Sequence, residues 1–232
     1  MSDVQKVQVG EVQLAYRVWG EEDAPPAVLL HCLGEDGEDW RGVVGRLAGT
    51  HRVFALDQRG HGHSDWPGDY GSARWRDDVI GFLQALGLER VTLIGHSLGA
   101  LAALLVAAER PELVDRLVLE EVPPPLPADP PQEVPEQPAG PQPFDWQAEV
   151  AVVAERNAPD PVWWEELEKI AAPTLVIGGG ETSHIPQGHL DELVERLPDA
   201  RLVTVEGAGH LVHEERPGEF LAAVNSFLAP RP

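Results

Sequence analysis

This chain of 232 residues has a single cysteine and no long apolar run, which excludes an intramolecular disulfide and argues against a membrane-spanning helix. Because Cys32 is the single cysteine, no intramolecular disulfide can form, and a reducing cytoplasm is the expected location. No apolar run reaches the roughly 18 residues that a membrane-spanning helix needs. The N-terminal segment also lacks the basic and apolar regions of a signal peptide. We therefore expect a cytoplasmic protein without a membrane partner.

Positive charge is scarce as well, with 17 Lys and Arg against 39 Asp and Glu and a formal net charge of −22. Nucleic acid and anionic membrane surfaces would be repelled by this charge, so a small molecule is the expected ligand. The length and the 43% hydrophobic content suit one globular domain over residues 1–232. The oligomeric state is left open by these features.

The hydrophobic pattern predicts an α/β fold. Alternating residues around Gly10 indicate an antiparallel hairpin, and the short apolar strands that follow are separated by helix-length segments. This order is typical of a mostly parallel central sheet with helices on both faces. The predicted later strands are Ala27–His31, Val53–Asp57, Val91–Gly95, Arg116–Glu120, Thr174–Ile177 and Arg201–Glu206. The predicted helices are Trp40–Leu47, Ser72–Leu86, Ser97–Glu109, Gln187–Leu197 and one from Pro217 to about Leu228.

One segment interrupts this alternation. The stretch from Pro123 to Pro143 is crowded with prolines and has no hydrophobic periodicity, so no regular element is expected there. Two short amphipathic helices, Phe144–Asn157 and Val162–Ile170, are predicted after it. We interpret about residues 121–172 as one insertion that forms a small, proline-rich and helical lid.

The segment Gly95-His96-Ser97-Leu98-Gly99 carries the strongest chemical signal. It follows an apolar strand and begins an alanine-rich helix, which is the context that a G-x-S-x-G motif requires. A serine on such a sharp turn holds its hydroxyl clear of the sheet at a helix N-terminus. There the amide of Leu98 can bind an oxyanion. Ser97 is therefore the predicted nucleophile.

A serine hydroxyl needs a neighbouring base to remove its proton. In a fold with this motif the histidine comes last in the chain, after the serine and the acid. His210 follows Gly207-Ala208-Gly209 directly after the last predicted strand, and it is our candidate base. His213 is a weaker alternative because it lies in a segment approaching the last helix.

Together with three further segments, these residues resemble the α/β-hydrolase superfamily over nearly the whole chain. His31-Cys32-Leu33-Gly34 is similar to the family's oxyanion loop, and the segment from Asp57 to Ser64 matches its D-x-R-G-x-G-x-S loop. The strand from Pro173 to Gly179 resembles the one that precedes the family's usual acid. The resemblance implies the α/β-hydrolase fold with a short lid.

The resemblance also implies a second oxyanion donor, the backbone amide of Leu33, and no cofactor. Cys32 stands where the family usually has glycine, and we interpret it as a small buried filler and not as a catalytic thiol. No metal site is predicted, because the spacing of the four C-terminal histidines matches no common zinc motif. These histidines are His184, His189, His210 and His213.

The acid is the difficult member of the triad. Residues 178–186 contain no aspartate at the family's usual position, although Glu181 lies in that loop. The family's second position, the end of the sixth strand, holds Glu120 and Glu121, of which at most one can face the site. Glu120 is the first choice, Glu121 the second and Glu181 the third.

The expected enzyme is a serine hydrolase, similar to carboxylesterases, that cleaves a small or medium carboxylic ester or lactone through an acyl-enzyme on Ser97. Two alternatives stay open. The missing usual acid and the substituted oxyanion loop are compatible with a ligand-binding or sensor protein of low turnover on the same scaffold. A lyase or cyclase could also use His210 without acylation.

Overall fold

An eight-stranded sheet runs through the computed structural model, which describes residues 3–122 and 126–229. The strand order is β1-β2-β4-β3-β5-β6-β7-β8. β1 and β2 form the predicted antiparallel hairpin, β2 pairs antiparallel with β4, and all later neighbours are parallel. The strands are β1 (Gln5–Val9), β2 (Val12–Trp19), β3 (Pro26–Leu30), β4 (Arg52–Asp57), β5 (Val91–His96), β6 (Val114–Glu120), β7 (Thr174–Gly178) and β8 (Ala200–Thr204). The predicted fold class is confirmed.

Helices cover both faces of this sheet. They are α1 (Arg41–Leu47), α2 (Ser72–Ala85), α3 (Leu98–Glu109), α4 (Trp146–Asn157), α5 (Val162–Glu165), α6 (Gln187–Arg196), α7 (Val212–Glu215) and α8 (Pro217–Leu228). Short 3-10 turns lie at Gly37–Trp40, Pro111–Leu113 and Leu167–Lys169. No helix in the described ranges is both long and apolar enough to cross a bilayer.

The sheet separates two hydrophobic clusters. One cluster lies under α2, α3 and α6 and includes Phe82, Leu104 and Leu193. The other lies under α1 and α8 and includes Leu47 and Phe220. The central parallel strands are buried on both faces, which explains why they read as continuous apolar runs in the sequence. This rigid sheet fixes the positions of the loops at its carboxyl edge.

The connection between β6 and β7 forms the lid. Residues 126–143 contain no helix or strand, and α4 and α5 follow them, the second shorter than predicted. Residues 123–125 of the proline-rich stretch lie outside the described part. Glu155 of α4 accepts hydrogen bonds from the amide (2.9 Å) and hydroxyl (3.1 Å) of Ser72. Because Gly71 offers no side chain to cap α2, this carboxylate caps it and ties the lid to the core.

Candidate active site

Ser97 sits in a strained turn between β5 and α3. Its backbone angles, φ 50° and ψ −108°, are ones that few residues with a side chain adopt. A Cβ atom on Gly95 would lie 2.3 Å from the carbonyl oxygen of Gly99. One on Gly99 would lie 2.1 Å from the carbonyl oxygen of Leu30. Both glycines are therefore required by close backbone approach, and they let the turn place Ser97 at the end of the sheet.

A cavity of about 200 Å³ opens above this turn. Ser97 and Leu98 line it from the core, Leu33 lines it from the loop after β3, and lid residues close it from the other side. Leu98 is the first residue of α3, so its amide has no acceptor within the helix. The two amides expected to bind an oxyanion thus belong to residues that share one cavity with Ser97.

The loop after β3 is held by a buried histidine. The amide of Gln58 donates to Nε2 of His31 (2.9 Å), so the ring proton is on Nδ1, which donates to the carbonyl of Cys32 (2.7 Å). Burial lowers the pKa of His31 and keeps this ring neutral. Among the described residues, nothing accepts a hydrogen bond from the amide of Leu33. That amide is therefore available to a ligand.

Cys32 is buried beside this loop, with 8% of its surface exposed. Burial and the nearby charges of Asp39 and Glu35 raise the pKa of the thiol well above its ordinary value. A thiol that stays protonated is a poor nucleophile. The geometry supports the interpretation of Cys32 as a buried filler.

His210 lies in the glycine-rich loop after β8. Its Nδ1 is 3.2 Å from Oε2 of Glu121, and its backbone carbonyl accepts a hydrogen bond from Nε2 of His96 (2.8 Å). Gly207 and Gly209 have φ angles of 72° and 67°, which the tight return of this loop requires. Since His96 is the neighbour of Ser97 in the chain, this bond ties the histidine loop to the serine turn.

Glu121 is held by several donors besides His210. It accepts hydrogen bonds from the amide of Gly179 (2.6 Å), from the hydroxyl of Ser183 and from Nε2 of Gln187 (3.3 Å). Burial works toward a higher pKa, but the hydrogen bonds from His210, Ser183 and Gly179 outweigh it and lower the pKa of Glu121. The carboxylate therefore stays charged and keeps a fixed orientation.

The structure separates Glu120, the first choice of acid, from the candidate base. Glu120 contacts His213 and not His210: its Oε2 is 2.8 Å from Nδ1 of His213, and its Oε1 accepts from the His213 amide (2.9 Å). Glu120 is the last residue of β6, whereas Glu121 has left the strand with φ 49°. With this change of backbone direction, Glu121 contacts His210 and Glu120 contacts His213. Glu181, the third choice, is exposed.

His213 occupies a buried charged cluster next to the site. It lies between Glu120 and Asp39, whose Oδ1 is 3.2 Å from Nε2 of His213, and its ring stacks on Trp40 at 4.3 Å between centroids. Burial alone would lower the pKa of His213, but the charges of Glu120 and Asp39 raise it to about 10. Both ring nitrogens donate, so His213 is an imidazolium and cannot serve as the alternative base.

This cluster makes the stability of the protein depend on pH. Below pH 6.5 His213 is charged in the folded and the unfolded chain, and its contribution is fully present. Above that value only the folded chain keeps the proton, so we expect the free energy of unfolding to fall as pH rises toward about 10. At acid pH the lowered pKa of Glu120 has the opposite effect. The unfolded chain takes up the proton of this carboxyl first, so the free energy of unfolding falls as pH falls below 4.5. Urea denaturation between pH 4 and 10 measures this profile, and a flat alkaline limb would contradict it.

Two groups of described side chains lie close enough to coordinate a metal, with their ligand atoms within 4.8 Å of one another. One is His96, Glu120 and His213. It is unsuited because both nitrogens of the His213 imidazolium carry protons. The other is Cys32, Asp39 and His96, which would need the thiol to lose a proton that burial holds firmly. The chemistry of neither donor set favours a resident metal.

Two site residues were not found from the sequence. His184, considered above only as a metal ligand, lies against His210 with 4.1 Å between ring centroids and the ring planes tilted by 46°. Burial together with the neighbouring His210 lowers the pKa of His184. Arg156 of α4 lines the same cavity as Ser97. The amphipathic pattern predicted the helix that carries Arg156, but only the fold shows which way the side chain faces.

A serine on a strained strand-to-helix turn and a histidine paired with a carboxylate are typical of an enzyme of the α/β-hydrolase type. The model of the alpha/beta hydrolase family matches residues 27–224. The chain belongs to this family and is a hydrolase.

Known proteins of similar sequence and structure agree with this assignment. The sn-1-specific diacylglycerol lipase ABHD11 of Mus musculus is 27% identical over 90% of this chain and 83% of its own length. The esterase YbfF of Escherichia coli is 27% identical over 88% of this chain and 92% of its own. The crystal structure of the enol-lactonase from Burkholderia xenovorans LB400 superposes with a TM-score of 0.84 and 26% identity, covering 97% of this chain and 100% of that one.

Proposed function

We propose that this hydrolase cleaves small or medium carboxylic esters or lactones through an acyl-enzyme on Ser97. The observation that carries the proposal is the contact between Glu121 and Nδ1 of His210. It orients the imidazole and leaves Nε2 as the base for the serine hydroxyl. The names of the similar proteins, a lipase, an esterase and an enol-lactonase, support the same bond class.

In this mechanism Ser97 Oγ attacks the carbonyl carbon while His210 removes its proton. The amides of Leu33 and Leu98 stabilise the oxyanion, a contribution typically worth about 3–4 kcal/mol for each donor. His210 then protonates the leaving alkoxide, the acyl–oxygen bond breaks, and a water activated by His210 releases the acid. The charged Glu121 stabilises the imidazolium that forms in both steps.

The size of the cavity supports a small acyl group. Ligand sites typically measure about 300–1,000 Å³, and the cavity at Ser97 is smaller, about 200 Å³. The alternative of a sensor of low turnover had the missing acid, the substituted oxyanion loop and the acidic surface as its motives. The carboxylate of Glu121 beside His210 weakens the first of these.

Fluorophosphonate labelling followed by intact-mass measurement tests the proposal. We expect the wild type to gain one adduct and to hydrolyse short-chain nitrophenyl esters, and Ser97→Ala to do neither. Ser226→Ala is a matched control, because that serine is exposed on α8 and does not line the cavity. Its label should still map to Ser97. A wild type that neither labels nor turns over would reject the acyl-enzyme.

A further inference from the structure

Arg156 has an unusual environment among the arginines of this protein. It lies near the end of α4, is half-buried, and lines the cavity of Ser97 as well as a second cleft beside His184. Burial lowers the pKa of Arg156, and the more distant charge of Glu149 only partly opposes this. A desolvated charge therefore borders the candidate active site.

The other arginines of the described residues differ from Arg156 in burial or in their carboxylate partners. Each one that is buried or half-buried has a carboxylate within 4.0 Å, whereas Arg156 has none. Apart from Arg156, every described arginine that has no carboxylate partner is exposed to solvent. The paired and shielded set is Arg17, Arg52, Arg59, Arg76, Arg110 and Arg116; the exposed and unpaired set is Arg46, Arg196, Arg201 and Arg216.

Carboxylates are not in short supply, since the chain has 39 acidic residues and only 17 basic ones. The nearest acidic neighbour in the helix, Glu155, is committed to the amide and hydroxyl of Ser72. Removing a guanidinium from water without a partner costs free energy, and an anion placed against it would recover that cost through charge-assisted hydrogen bonds. The missing partner is then a group that arrives with the ligand.

We propose that Arg156 binds a carboxylate of the substrate while Ser97 attacks an ester or lactone carbonyl elsewhere in the same molecule. The inference rests on the proposed function and narrows its substrate class to short esters or lactones that carry a free carboxylate. Cleavage of such a monoester with water breaks the acyl–oxygen bond and gives an alcohol and a dicarboxylate. Most of the net charge of −22 does not prevent this, because salt screens distant charges beyond about 8 Å at physiological ionic strength. Of the two carboxylates that line the same cavity, Glu155 is held by the amide and hydroxyl of Ser72 and Asp160 is exposed to solvent.

A matched pair of esters tests the inference. Monomethyl adipate carries one carboxylate, dimethyl adipate carries none, and released methanol reports both reactions. We expect the wild type to prefer the monoester. In Arg156→Gln the ratio of kcat/KM for monoester to diester should fall roughly 10- to 100-fold, and Arg156→Lys should lie between because it keeps charge without the paired donors. Arg46→Gln removes one exposed charge and should leave the ratio at the wild-type value.

The outcomes separate this inference from the proposed function. If Ser97 labels and the diester turns over but the ratio does not respond to Arg156→Gln, the anion site is wrong and the hydrolase stands. If neither ester reacts and Ser97 does not label, the acyl-enzyme is rejected. Calorimetric titration with adipate then decides about Arg156. Binding weakened at least 10-fold in Arg156→Gln supports the site, and absent or unchanged binding overturns it.

Discussion

Glu121→Gln should lower kcat by about three to four orders of magnitude, as the loss of a triad acid does in serine proteases. The carboxylate now accepts the proton of His210 Nδ1 at 3.2 Å and stays charged. A glutamine in its place can present an amide N–H to that nitrogen, which favours the wrong tautomer and leaves the imidazolium without a counter-charge. Catalysis by the oxyanion donors and by binding should remain above the uncatalysed rate.

The kcat for a nitrophenyl ester and the rate of fluorophosphonate inactivation measure this effect. Glu181→Gln is the matched control, since it makes the same chemical change on an exposed residue, and its kcat should equal that of the wild type. A larger loss of kcat in Glu120→Gln than in Glu121→Gln would reverse the assignment of the acid.

The sequence predicted the sheet well because its central strands are apolar on both faces. β3, β5 and β7 begin and end within a residue of the predicted bounds. β1 and β2 were found from alternation and glycine punctuation, the other dependable signal. α7 was missed because a four-residue helix after a glycine-rich loop has too few positions to show a period.

The local sequence is not sufficient to identify the acid that faces His210. Strand alternation limits the choice to one of Glu120 and Glu121. Which of them faces His210 depends on the residue at which β6 ends and on the positive φ of Glu121. A glutamate with a positive φ is uncommon, and the neighbouring residues do not predict it. Only the packing of β6 against β7 and the loop of Gly179 determines it.

The charged residues of the site follow the same rule. His213 resembles a second candidate base in the sequence, but its charge state is set by Asp39 from a distant loop and by Glu120. Arg156 lies on the amphipathic helix that the pattern predicts. That no carboxylate of the described residues lies within 4.0 Å of its guanidinium, however, depends on the whole fold. Residue type and spacing identified His213 but not Arg156, and the three-dimensional contacts show the environment of each.

Glu120→Gln should lower the free energy of unfolding by about 3 kcal/mol, the lower end of the range for breaking a buried ion pair. The substitution leaves the buried imidazolium of His213 with one carboxylate partner in place of two. Asp39 remains at 3.2 Å and keeps the loss from being larger. For a chain of this length the change corresponds to a decrease in Tm of about 6–12 °C.

Urea denaturation of Glu120→Gln and of Glu181→Gln measures the difference, and the exposed control should stay within about 0.5 kcal/mol of the wild type. The pH profile gives an independent readout. The charge of Glu120 has the largest effect among those that raise the pKa of His213. The variant should therefore lose less stability than the wild type between pH 6.5 and about 10. Equal stability and an unchanged alkaline limb would contradict this prediction, because they would mean that Glu120 does not raise the pKa of His213.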